Sequence, residues 1–154
     1  MPGLEDLYRE IILDHYRTPR NRGELAPPAV RAEGHNPLCG DEIQVYLDVT
    51  DGIVTDIKVS GQGCSISQSS ASMMSQAVKG KPLDEVRALV RRFKGMMSVD
   101  DAAHSDAEEA AAAAVKLGDL EALQGVVKFP VRIKCATLAW NTLLQAMSEL
   151  PTPA

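Results

Sequence analysis

The chain has 154 residues, a length that fits one domain able to bury a core without disulfides. Its net charge of −5 argues against a nucleic-acid partner, because non-specific affinity for phosphates comes from Lys and Arg. The N-terminal segment MPGLEDLYREIILDHYR has acidic residues within its apolar pattern and no continuous apolar run. We therefore expect neither a signal peptide nor a membrane span there. We therefore expect a cytoplasmic protein that binds neither nucleic acid nor a membrane and folds as one domain over residues 1–154.

The first half of the chain predicts a helix followed by strands. Apolar residues recur at helical spacing from residue 4 to residue 12, and the helix should end by Thr18 because Pro19 follows. Asp51-Gly52 is a strong hairpin signal between two segments that alternate apolar and polar residues. The predicted strands cover residues 41–49 and 53–59, with a weaker candidate at residues 30–35.

The second half predicts mainly helices. Helical spacing begins after Gly61-Gln62-Gly63, with Gly80 placed to end one helix and Pro82 to open the next. Residues 95–116 differ in composition, since an acidic run precedes five alanines, and they predict a surface helix. A last helix around Trp140 should dock on the sheet.

The three cysteines all lie at the boundaries of predicted elements. Cys39 and Gly40 precede a strand, so that Asp41 can point to the same place as the Cys39 thiol. Cys64 and Cys135 lie near predicted helix starts, where backbone N–H groups and the helix dipole favour thiolate. If these side chains converge, three thiolates and one carboxylate form a tetrahedral set suited to Zn²⁺ or iron.

The spacing of the cysteines leaves other interpretations open. They are far apart in sequence, unlike the Cys-x-x-Cys pairs of a small zinc finger, and a cysteine outside a disulfide is most often a small buried hydrophobic residue. A shared site of about −4 formal charge would also need nearby cations to hold the charge left after a metal binds. The candidates are Lys128, Arg132 and Lys134.

Four stretches of the sequence resemble a known family. LYREIILDHYRTPRNRGEL, HNPLCGDEIQVYLDV, VSGQGCSISQSSASMM and FPVRIKCATLAW are similar, in this order, to the NifU/IscU-type iron–sulfur cluster assembly proteins. The resemblance implies an α+β fold, with a small antiparallel sheet of about three strands packed with helices. It also implies one site, formed by Cys39, Asp41, Cys64 and Cys135, that holds Zn²⁺ or a transient [2Fe–2S] cluster.

The same resemblance implies partners and two possible roles. The site would accept sulfur from a cysteine desulfurase at Cys39, Cys64 or Cys135 and pass a cluster to apo-protein acceptors, as a scaffold rather than an enzyme. The alternative is a zinc-dependent sulfurtransferase that moves persulfide sulfur without building a cluster. A zinc module that only stabilises the fold is a third option.

At two places the sequence departs from the pattern of the family and resembles its SufU-like branch. Scaffolds served by a dedicated Hsp70 chaperone have Leu-Pro-Pro-Val-Lys and a His before the last cysteine, whereas this chain has Lys-Phe-Pro-Val-Arg at 128–132 and Lys134. The second departure is an insertion at about residues 95–116, which members of that branch share.

Several other polar residues are expected to be structural. His35 is interpreted as a loop residue satisfied by water or backbone, with a metal-ligand or proton-shuttle role as the alternative. His15 is interpreted as a helix-surface residue and His104 as an exposed residue of the insertion. The serines between Ser65 and Ser72 are interpreted as capping and packing groups. The basic residues Arg17, Arg20 and Arg22 predict a solvated helix end and loop, or else a docking surface for the desulfurase.

Overall fold

A three-stranded antiparallel sheet with helices on one face forms the part of the chain that the computed structural model describes, residues 4–27, 29–36, 40–97 and 118–150. The strand order is β1-β2-β3. In chain order the elements are α1 (Leu4–Arg17), β1 (Val30–Asn36), β2 (Asp41–Thr50), β3 (Ile53–Gln62), α2 (Ser65–Val78), α3 (Leu83–Met96), a 3₁₀ helix (Gly118–Lys128) and α4 (Pro130–Ser148). The α+β prediction is confirmed.

The predicted element boundaries are met closely. Helix α1 ends at Arg17, immediately before Thr18, and residues 30–35 form a strand as the weaker pattern suggested. Asp51 and Gly52 have φ values of 54° and 76°, the two positive angles of the tight turn that suits a right-twisted hairpin. The alternation of apolar and polar residues therefore placed the hairpin correctly.

The core lies between the sheet and helices α2 and α4. Helix α4 packs on β1 and β2, and α2 packs on β3 and α4. Trp140 of α4 stacks on Phe93 of α3 with ring centroids 4.3 Å apart, and its indole N–H donates to Ser70 Oγ at 3.0 Å. Ser70 in turn donates to the carbonyl of Ala136, so that a buried polar chain fixes α2 against α4.

Helix α4 lies close against strand β1 at Gly34. A Cβ at this position would collide with the Thr142 hydroxyl and crowd Leu138, so the missing side chain lets the helix lie directly on the strand. Since Cys135 lies about two turns before Thr142 on the same helix, this contact helps to set how near Cys135 comes to the end of β1.

The prediction for His15 was wrong. The side chain is fully buried, with Nδ1 2.8 Å from Ser72 Oγ and Nε2 3.0 Å from the Asp119 carboxylate. Ser72 also accepts the backbone N–H of Arg20. The error arose because α1 is covered by α2 and the 3₁₀ helix, elements distant in sequence. His15 therefore fastens α1 to the rest of the molecule.

The predicted insertion is only partly covered by the structure. Residues 95 and 96 belong to the end of α3, whereas residues 98–117, with His104 and the alanine run, lie outside the described residues. The surface helix stays a prediction. Among the described helices, none is both long enough and apolar enough to cross a lipid bilayer.

We predict that Gly34→Ala destabilises the protein by about 1–3 kcal/mol, because the added methyl group overpacks the contact with Thr142. Urea unfolding followed by circular dichroism measures the change. Gly95→Ala is the matched control: Gly95 is exposed on α3 with open space around it, so the variant should be unchanged or more stable by up to about 1 kcal/mol. Equal unfolding free energies for Gly34→Ala and wild type would contradict the role of this contact.

Candidate metal centre

Three of the four predicted ligands meet at one end of the sheet. Asp41 begins β2, Cys64 immediately precedes α2, and Cys135 lies in the second turn of α4. A carboxylate oxygen of Asp41 and the two sulfur atoms all lie within 4.8 Å of one another. Side chains separated by up to 94 residues in sequence therefore form a single cluster.

The fourth predicted ligand, Cys39, lies outside the described residues. Both ends of the segment that contains it are described. Asn36 and Asp41 are cross-strand partners, and the backbone N–H of Gly40 donates to the carbonyl of Asn36 at 2.8 Å. The segment therefore starts and ends beside the cluster, and Cys39 as a ligand stays a prediction.

The carboxylate of Asp41 has a structural contact as well as a place in the cluster. Oδ1 accepts the backbone N–H of Cys64 at 2.9 Å, while Oδ2 lies 4.0 Å from the Cys64 sulfur. The two carboxylate oxygens therefore have different roles: Oδ1 fixes the start of α2, and Oδ2 faces the thiol. The helix dipole also favours a negative charge at this helix start.

The glycines before Cys64 make this approach possible. A Cβ on Gly63 would collide with Asp41 Oδ1 and with the Ser67 hydroxyl. Gly61 has φ of 122°, and a Cβ there would overlap the carbonyl of Glu42. The Gly-Gln-Gly sequence thus does more than end a strand, because it lets backbone and carboxylate pack without intervening side chains.

The two sulfur atoms differ in burial and in contacts. Cys135 is 1% exposed, and its sulfur accepts an N–H from the side-chain amide of Asn36 at 3.5 Å and donates to the carbonyl of Val131 at 3.8 Å. Cys64 is partly exposed. Asp41 is as buried as Cys135.

Asn36 is a residue that the sequence reasoning missed, although strand alternation places it on the same buried face as Ala32.

An open pocket leads from the surface to both sulfur atoms. It has a volume of about 420 Å³ and is lined by Cys64, Phe129, Pro130, Val131, Arg132 and Cys135. Phe129 and Val131 are more than half exposed, and exposed apolar side chains that lie together are typical of interaction surfaces. The pocket therefore has an apolar rim, polar sulfur at its base and one cation, Arg132, in its wall.

The donor set fits a small thiophilic ion. Bonds of about 2.3 Å to sulfur and about 2.0 Å to oxygen place tetrahedral ligand atoms about 3.5–3.8 Å apart, a small contraction from the spacing present. Two thiolates and one carboxylate add up to a charge of −3, which a divalent cation reduces to −1. Soft thiolates and a harder oxygen suit Zn²⁺ and iron.

His35 does not join the cluster. It lies on β1 with its side chain more than half exposed, on the opposite face of the strand from Asn36. Its ring nitrogens lie 3.5 Å from a Glu33 oxygen and 3.9 Å from a Glu42 oxygen. The residue is therefore in a strand beside two carboxylates, which corrects the expectation of a loop residue satisfied by water or backbone.

Two of the three arginines predicted as a basic patch have partners within the chain. Arg20 forms an ion pair with Asp14 at 2.6 Å, and this hydrogen bond holds the pKa of the Asp14 carboxyl below its ordinary value of 3.8. Arg22 donates to Gln68 Oε1 at 2.7 Å and to the carbonyl of Gly61. Arg17 is exposed. These contacts favour a structural role for Arg20 and Arg22 over docking.

The serines of α2 pack against other elements as predicted, but the predicted capping is wrong, because the helix is preceded by Cys64 and has no side-chain cap hydrogen bond. Ser69 donates to the carbonyl of Ile12, which fixes α2 against α1. Ser72 does have a histidine partner, His15, that the local pattern could not reveal because the two lie 57 residues apart. Both side chains are fully buried, so this pair is closed to a substrate.

This chain is similar to known proteins over nearly its whole length. Residues 7–136 match the model of the NifU-like N-terminal domain. The zinc-dependent sulfurtransferase SufU of Bacillus subtilis is 44% identical to this chain, over 96% of the chain and 93% of that protein. The iron–sulfur cluster assembly scaffold protein IscU of Thermotoga maritima is 35% identical, over 96% of both.

Solved structures show the same fold. A SufU protein from Fervidobacterium islandicum superposes with a TM-score of 0.76 at 28% identity, covering 94% of this chain and 99% of that one. The agreement extends over nearly the whole length of both chains, which includes the elements that bear Asp41, Cys64 and Cys135.

We predict that Asp41→Ala lowers the unfolding free energy of the metal-free protein by about 1–3 kcal/mol, because the partly buried N–H of Cys64 loses its acceptor. Asp41→Asn is the matched variant, since its amide oxygen can still accept that N–H, and it should lose less. Urea unfolding in the presence of a chelator measures both. Equal losses in the two variants would show that the hydrogen bond is unimportant for the fold.

Proposed function

Because this chain belongs to the NifU-like N-terminal domain family, we propose that it works in iron–sulfur cluster biogenesis, as a scaffold on which a transient [2Fe–2S] cluster is assembled and from which it is transferred. The cluster is the cargo. Its ligands are Cys39, Asp41, Cys64 and Cys135, and sulfur arrives from a cysteine desulfurase.

The observation that supports this role best is the convergence of Asp41, Cys64 and Cys135 at the base of an open pocket. In a [2Fe–2S] cluster each iron has two bridging sulfides and two protein ligands, so four protein ligands are needed in all. With Cys39 the chain offers four. A site that only stored metal would have no need of an opening to its sulfur atoms.

Sulfur transfer needs an accessible thiolate. The thiolate of one cysteine attacks the terminal sulfur of the donor's persulfide, a new S–S bond forms, and the donor's S–S bond breaks with its cysteine leaving as thiolate. Cys64 is partly exposed and Cys135 faces the same pocket. The three cysteines are the candidate acceptors, and all of them must stay reduced, which suits the cytoplasm.

The oxygen ligand favours exchange over storage. Carboxylate oxygen is a harder donor than thiolate and binds soft metal centres less firmly. Asp41 also has a second partner, the N–H of Cys64, that remains available to it when it leaves the cargo. A resident Zn²⁺ held by the same residues would keep the thiols deprotonated and neutralise part of their charge.

The shape and charge of the site support the partners that the family resemblance implies. A desulfurase must bring a persulfide into the pocket, so its docking surface should cover the apolar rim formed by Phe129 and Val131. Apo-proteins that accept the cluster use the same opening. The net charge of −5 disfavours nucleic acid, and residues 1–154 act as one domain.

A second candidate function is a zinc-dependent sulfurtransferase that carries persulfide sulfur away from the desulfurase without building a cluster. The observation that favours it is the 44% identity to a SufU protein of that name over nearly the full chain. The sequence Lys-Phe-Pro-Val-Arg at 128–132 points to the same branch.

The two functions predict different products in one experiment. The protein is purified with its native metal, its zinc and iron are measured, and desulfurase and cysteine are added with and without Fe²⁺. A scaffold gives a visible-absorbing cluster that moves to an apo-acceptor. A sulfurtransferase retains zinc, forms a protein persulfide and raises desulfurase turnover. If neither set of products forms, both functions are contradicted.

We predict that Cys39→Ser, Cys64→Ser and Cys135→Ser each weaken zinc binding by more than about 100-fold, since changes even outside the ligand shell cost about 10–100-fold. Competition with a chromophoric chelator measures the affinity. Thr55→Ser, an exposed hydroxyl residue on β3, serves as control. Unchanged metal content in all three cysteine variants would refute a shared site.

A further inference from the structure

Asn36 lies against the cluster without belonging to the predicted ligand set. It is the last residue of β1, it is 5% exposed, and its side-chain Nδ2 donates to the sulfur of Cys135 at 3.5 Å. The two residues are 99 positions apart in sequence. A buried side-chain amide that donates to one ligand sulfur is placed to act on the centre itself.

The backbone of the same residue lies beside two further parts of the site. Asn36 is the cross-strand partner of Asp41, and its carbonyl accepts the N–H of Gly40 at the end of the segment that contains Cys39. Its main chain therefore closes that segment while its side chain reaches α4. Asn36 thus connects three of the places from which ligands come.

The close packing of α4 on β1 supports this contact. Two residues before Asn36, Gly34 admits Thr142 against the strand, so that the N-terminal half of α4 runs past the end of β1. Because both contacts lie along one strand and one helix, the amide and the sulfur are held at hydrogen-bonding distance by the core rather than by a loop.

The negative charge of the ligand groups determines the effect of the Asn36 side-chain amide. The cluster gathers two sulfur atoms and a carboxylate that are anionic when they bind a metal. An N–H directed at a ligand sulfur takes up part of that charge and restricts where the sulfur points, as hydrogen bonds around a metal centre generally do. An amide oxygen in that place would instead repel the sulfur.

We propose that Asn36 is a positioning residue of the metal centre, holding the sulfur of Cys135 in its ligating orientation and drawing charge from it through the Nδ2–H···S hydrogen bond. This inference rests on the proposed function, in which Cys135 is a ligand. It assigns to Asn36 a specific effect on the electronic state of one sulfur ligand, beyond its place in the fold.

The test uses the full-length protein with Co²⁺ in the site, because the sulfur-to-Co²⁺ charge-transfer band reports the charge on the ligating sulfur. Asn36→Asp keeps the shape and removes the donor, and Asn36→Ser shortens the side chain so that it no longer reaches. In both variants the band should move to lower energy, and zinc affinity measured against a chelator should fall by a factor of about 10 to 100.

Asn21→Asp is the matched control. Asn21 also donates through Nδ2, to Ser75 Oγ at 3.2 Å, away from the cluster, so the same chemical change there should leave both the band and the zinc affinity unchanged. Circular dichroism of the metal-free proteins identifies a variant that fails to fold, and the remaining variant then decides.

The outcomes separate this inference from the proposed function. Wild-type protein that takes up neither Zn²⁺ nor Co²⁺ would overturn the metal centre and this inference with it. A wild-type site that binds both ions, with the band unmoved in the Asn36 variants, would overturn the role of Asn36 alone. A lower affinity with an unmoved band would also overturn it, because a purely structural residue would give that result.

Discussion

The hydrogen bond from the backbone N–H of Cys64 to the carboxylate of Asp41 is the contact on which the site depends. It joins the first residue of β2 to the residue that precedes α2, so the carboxylate and the thiol of two candidate ligands are fixed relative to each other. Gly63 allows it by having no side chain in the way. Asp41 and Cys64 therefore lie at the junction of sheet and helix.

Helix α4 brings the third member of the cluster by a different route. Cys135 depends on how deeply the helix lies on the sheet, which is set by Gly34 against Thr142 and by the buried contacts of Trp140. Each of these contacts is packed so closely that an added methyl group or a lost hydroxyl would lower the stability of the fold. The position of the Cys135 sulfur is thus set by the packing of the core.

Burial and access are combined in a way that suits an exchangeable cargo. Asp41 and Cys135 are almost completely buried, which limits the arrangements open to them, while Cys64 is partly exposed and the pocket reaches both sulfur atoms. In the proposed function, the exposed apolar rim is the surface on which the desulfurase docks beside the sulfur atoms. A buried base under an open pocket fits the proposed entry and release of sulfur or a cluster.

The sequence by itself determined the hairpin, the ends of α1 and α2, and the places of Asp41 and Cys64 at element boundaries, because periodicity and turn residues act over a few neighbours in the chain. The family motifs added the expectation that those ligands meet. Local patterns could not place His15 in the interior or join Asn36 to Cys135. Those pairs span 57 and 99 residues, and only the packing of helices on the sheet decides which distant side chains become neighbours.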